Sequence, residues 1–62
     1  MTPEEIQMVT HWMVYGLSEE AIGANWHQHV RNRGGNPPQE TLTETGKRLQ
    51  EEVTKQQKGR AK

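Results

Sequence analysis

Apolar side chains recur at helical spacing along the first half of the chain and become sparse in the second. Ile6, Met8, Val9, Trp12, Met13 and Tyr15 gather on one side of a helix turned at about 100° per residue. Ile22, Trp26 and Val30 form a tighter stripe four residues apart, with His29 in its middle. Leu42, Gly46, Leu49, Val53 and Gln56 form a third, narrower stripe. The spacing predicts an all-α protein: an N-terminal helical hairpin over about 3–15 and 19–33, with a loosely docked C-terminal helix over about 41–57.

Local signals set the ends of these helices. Thr2 is a good N-cap, Pro3 suits the first helical position, and Glu5 completes a capping box. Gly16 supplies a left-handed residue after the first helix, and Leu17 follows as the apolar residue of that motif. Ser18 caps the second helix, and Glu19 and Glu20 lie favourably in its first turn. Arg31 and Arg33 suit its C-terminal end, where Gly34 and Gly35 stop it. Asn36, Pro37 and Pro38 continue the loop. Asn36, Thr41 and Thr43 are each candidate caps for the third helix. The chain divides into one small helical domain over 1–57 and a basic tail, expected to be flexible, over 58–62.

The first helix carries more apolar surface than one neighbour needs, since a single packed partner covers a stripe about 100° wide. Either the third helix covers the excess or another chain does. Composition sharpens this choice. Only 29% of the 62 residues are apolar, and of those 18 only Leu42, Leu49, Val53 and Ala61 lie beyond residue 33. A chain this small buries a modest share of its surface. It has no cysteine, so neither a disulfide nor a thiolate metal site adds stability. Gly23 sits beside the stripe of the second helix, where a missing side chain is expected to admit the first helix closely.

The charge is zero overall but unevenly spread. Residues 1–20 carry four glutamates and no Lys or Arg, whereas Lys55, Lys58, Arg60 and Lys62 lie near the other end without a following acid. The longest apolar run, Trp12–Tyr15, is far too short to cross a bilayer, and the acidic opening Thr2-Pro3-Glu4-Glu5 differs from a secretory leader. The expected compartment is the cytoplasm, with no membrane contact.

Candidate chemistry is thin. His27 and His29 point about 160° apart on a helix, so they cannot share a metal ion in the manner of an i,i+4 pair. His29 reads instead as a packed, hydrogen-bonded core histidine, and as a residue whose charge changes near neutrality. No nucleophile–base–orienter set and no phosphate-binding glycine loop is visible. The expectation is a non-enzyme without metal, cofactor or small-molecule substrate.

"YGLSEEAIG", Tyr15–Gly23, resembles the stretch leading into the first helix of bacterial helix-turn-helix regulators. Gly16, Leu17, Ser18, Glu19, Glu20 and Ile22 carry the match, and Gly23 stands where that family has alanine. The tight turn and recognition helix that follow in the family have no counterpart in His27-Gln28-His29 and the residues after it. Tyr15-Gly16-Leu17 is also similar to the Met-Gly-Phe loop of ubiquitin-associated modules, although the second helix here is longer.

These readings point to a small helical protein that works by binding protein. It would be a homo-oligomeric adaptor, regulator or inhibitor of the kind found among phage and mobile-element accessory proteins. Met8, Trp12 and Tyr15, with Arg31 and Arg33 at the rim, are the candidate partner-binding residues. The alternative is a DNA-binding regulator with a divergent helix-turn-helix. In that case Arg31, Arg33, Lys47, Arg48, Lys55, Lys58 and Arg60 would meet phosphate.

Overall fold

A computed structural model describes the backbone of residues 1–60 and the side chains of residues 1–56. Three helices follow one another: α1 (Pro3–Val14), α2 (Glu19–Asn32) and α3 (Leu42–Arg60). The expected all-α order is present, with ends within a few residues of those read from sequence. Of the expected basic tail, residues 58–60 form the last turn of α3. The side chains of Lys58 and Arg60, and all of residues 61 and 62, lie outside the described residues.

The helix ends follow from the residues that flank them. The Glu5 N–H donates to the Thr2 hydroxyl (3.2 Å) and the Thr2 N–H to the Glu5 carboxylate (3.0 Å), closing the capping box. At the other end of α1, the Leu17 N–H donates to the Trp12 carbonyl and the Gly16 N–H to the Met13 carbonyl. This is a Schellman turn with Gly16 at φ +80°. The same turn ends α2, with Gly34 at φ +87° and the Gly35 N–H donating to the Val30 carbonyl. Ser18 caps α2 through the Ala21 N–H.

Among the three candidate caps for α3, Thr41 takes the role. Its hydroxyl accepts from the Glu44 N–H (3.1 Å), and the Glu44 carboxylate accepts from the Thr41 N–H (3.2 Å). Thr41→Ala should lower stability by about 1 kcal/mol. A denaturant midpoint equal to that of the parent chain would show that the box contributes nothing.

The core consists of Val9 from α1, Ile22, Trp26 and Val30 from α2, and Leu49 and Val53 from α3, all buried. Leu49 and Val53 thus dock α3 as their spacing predicts. The packing differs in emphasis from the expected hairpin with a loose third helix. The intimate pair is α2 with α3, and α1 stands off from both. Glycines are the cause. A Cβ on Gly23 would lie 2.6 Å from the Leu42 carbonyl carbon, and one on Gly46 would lie 2.7 Å from that of Glu19. Gly23 and Glu19 are one turn apart on α2, as are Gly46 and Leu42 on α3. The two helices therefore cross antiparallel, each with a glycine against the other's backbone. Gly23 admits α3 rather than α1, contrary to the sequence-based expectation, because the partner's matching gap, Gly46, is on α3.

Candidate interaction surface

Among the described residues, every apolar side chain that packs against this core while remaining partly exposed comes from the first 17 positions: Met1, Ile6, Met8, Trp12, Met13 and Leu17. On α1 only Val9 is wholly buried among the apolar side chains. The contrast with α2 and α3, whose core stripe residues are enclosed, is physical. Those two helices cover one another at backbone distance, whereas α1 lies across the pair and meets it chiefly with side chains. Of the two tryptophans, Trp26 is buried and Trp12 half-buried. Beyond Trp12 the surface opens further. Tyr15 is 73% exposed, with its ring edge-on to His11 at 4.3 Å, whereas Val14, 78% exposed, points about 160° away from Trp12 on the polar side of α1.

The candidate partner-binding residues are not all one patch. Met8, Trp12 and Tyr15 follow one another along α1 at i, i+4 and i+7. Arg33 instead reaches back to α1, where its guanidinium donates to Glu5. Arg31 is exposed on α2 and forms no ion pair among the described residues.

Glu5 is the centre of the α1–α2 contact. It is buried, at 6% exposure, in the middle of the apolar face one turn before Val9. One carboxylate oxygen completes the capping box; the other is shared by His29 (3.0 Å) and Arg33. Its pKa is lowered, most by the Thr2 N–H. Burial opposes this, and the His29 hydrogen bond and the Arg33 and His29 charges add to the lowering. The expectation for His29 as a hydrogen-bonded histidine on the apolar face fits this place, where its ring also lies 5.3 Å from that of Trp26.

On the opposite flank of α2, His27 meets the fully buried Thr45 hydroxyl at 3.1 Å. Glu40 accepts from that hydroxyl (3.4 Å) and from the Arg48 guanidinium (3.1 Å). The two histidines thus serve separate contacts, one to α1 and one to α3, as their angular separation requires. No group of metal-ligating side chains forms among the described residues.

Of the candidate phosphate-contacting residues, Arg33 and Arg48 are engaged by carboxylates. Lys47 and Lys55 line an open groove of about 570 Å³ along α3, and Gln50, Glu51 and Thr54 of the same helix, Met13 of α1 and Glu19 of α2 complete its walls. Two lysines and two glutamates leave this groove with balanced charge. Because α2 runs unbroken from Glu19 to Asn32, no new helix starts where a helix-turn-helix would place its reader.

Sequence reasoning passed over Thr45 and read Glu5 only as a cap. A signal existed for both. Thr45 lies four residues before Leu49 and Glu5 four before Val9, so each occupies a core-facing position of its helix.

The fold and surface define a three-helix all-α protein, and no described helix is long and apolar enough to cross a membrane. No protein-family model matches the chain, and no curated protein or solved structure matches it either.

Proposed function

We propose that this chain acts without catalysis, by binding protein through α1, as a self-associating adaptor, regulator or inhibitor. One observation carries the reading: the incompletely covered apolar surface is concentrated on α1 and the cap that ends it, with half-buried Met8 and Trp12 leading to exposed Tyr15 on the same face. Contiguous apolar surface rimmed by polar groups marks interaction sites, and tryptophan and tyrosine are enriched among residues that dominate binding. Glu4 and Gln7 on the exposed side of α1 supply such a rim.

Sedimentation equilibrium over a range of concentrations tests the reading, with Trp12→Ala as the variant. In the parent chain the average mass should rise with concentration. In the variant, association should weaken by more than about 2 kcal/mol, the level of an interface hot spot. An association constant that Trp12→Ala leaves unchanged removes the proposal for this face.

A further inference from the structure

We propose that α1 is an exchangeable element: it can leave its seat on the α2–α3 pair and be replaced there by α1 of a second copy. The inference rests on the reading of α1 as the self-associating element, but it uses the face that α1 already buries in place of the uncovered surface around Trp12. Four features support it. The element is joined to α2 through one short turn, Tyr15 to Ser18. The seat is built from α2 and α3, which meet one another at backbone distance at Gly23 and Gly46. What α1 brings to the seat is compact: the Val9 side chain, the flanking half-buried residues, and one carboxylate, Glu5, read by His29 and Arg33. A second copy's α1 carries the same groups in the same order, so it fits a seat already shaped for them. Exchange of an identical element between copies is a low-cost route to a dimer, because it makes no new kind of contact in the seat.

The turn is the hinge. Gly16 holds φ +80°, and a methyl group added there meets nothing within 4 Å. Gly16→Ala therefore penalises the closed turn alone, and an opened turn escapes the penalty. Each of the two turns opened in an exchanged dimer should raise the dimerisation constant roughly tenfold. Gly34→Ala is the matched control. It also has positive φ and empty space, but it joins the two helices locked at the glycine crossing. It should lower stability and leave the dimerisation constant as it was.

A charge-exchange experiment tests the contact itself. In a chain carrying Glu5→Lys, the introduced lysine faces His29 and Arg33. In a chain carrying Arg33→Glu, Glu5 faces another carboxylate. Each variant alone should be weakened. Unfolded together and refolded as an equal mixture, they should form a one-to-one heterodimer. In one of its seats the introduced lysine meets the introduced glutamate of the other chain, and in the second seat the unaltered Glu5 meets the unaltered Arg33. The mixture should then unfold at higher denaturant than either part. A mixture that sediments and unfolds as the sum of its parts overturns the proposal, as does a Gly16→Ala chain whose association matches that of the parent.

Face-to-face docking through Trp12 would leave each α1 against its own α2, so it cannot rescue the pair. A heterodimer that survives Trp12→Ala keeps exchange and removes docking through Trp12. Trp12-dependent association of the parent chain without a heterodimer does the reverse.

Discussion

Gly23→Ala and Gly46→Ala should each destabilise the protein by about 3 kcal/mol, the upper end of the range for overpacking. The direction opposes intrinsic preference. Alanine is favoured over glycine inside a helix by roughly 0.8–1.0 kcal/mol, so both substitutions would be stabilising on a free surface. Here the added methyl group meets backbone, 2.6 Å from the Leu42 carbonyl carbon in one case and 2.7 Å from that of Glu19 in the other. No side chain can turn aside to relieve it. The helices must part, and parting them loosens Ile22, Leu49 and Val53, which are fully buried. A domain of this length has a total stability of roughly 3–9 kcal/mol, taking about 0.05–0.15 kcal/mol per residue. Either substitution alone should remove about a third or more of that stability, and the pair about two thirds or more. Urea titrations followed by circular dichroism read the effect. A midpoint that rises in either variant would show that the crossing is looser than described.

The second large effect concerns the carboxylate of Glu5. His29→Leu combined with Arg33→Met should cost about 1–3 kcal/mol near neutral pH, because a buried carboxylate loses two of its three partners and keeps only the Thr2 N–H. The acid response should change with it. Glu5 titrates below its ordinary value of 4.5 in the folded chain. Its contribution is therefore complete above about that pH and disappears as pH falls through the lower folded value. In the double variant the Thr2 N–H still favours the charged form while burial opposes it, so the acid-dependent loss should flatten. Adding Glu5→Leu should return part of the lost stability, since replacing a whole buried ion cluster by apolar groups is often neutral, less the capping-box bond to the Thr2 N–H that goes with the carboxylate. Stability measured from pH 3 to 7 separates these outcomes. A double variant whose loss on acidification is as steep as the parent's would assign that loss to other carboxylates.

The elements most legible in the sequence were those encoded within a few residues. Thr2 with Glu5, Gly16 with Leu17, Ser18, and Gly34 with Gly35 each form hydrogen bonds to neighbours three to five positions away. Such bonds depend little on where the rest of the chain lies. Leu49 and Val53 were legible for a related reason: on a nearly polar helix, two apolar residues four apart leave little choice of buried face. The identity of partners was not encoded so locally. Gly23 marked a close approach, yet nothing beside it in sequence tells whether α1 or α3 arrives. That depends on Gly46, more than twenty residues away. Glu5 and His29 were each placed on an apolar face, and their meeting across 24 positions became visible only when the helices were assembled. The exposed end of α1 was the more legible part of the candidate surface, because its apolar face was wider than one neighbour could cover. Arg33 was expected at the rim of that surface, and its turn toward Glu5 was not foreseen.

The glycine crossing also bears on how a sequence with so few apolar residues selects one alignment of α2 and α3. Sliding α3 by one turn, about 5.4 Å, would still let Leu49 or Val53 touch apolar surface on α2. Greasy contact alone discriminates poorly between such slipped arrangements. Backbone contact discriminates sharply. After a one-turn slip, the place now held by Gly46 would pass to Leu42 or Gln50, whose Cβ cannot enter it. The two bare positions thus work as a keyway, admitting one register and blocking its neighbours. In this chain, alignment is specified less by what the helices attract than by the two places that let their backbones touch.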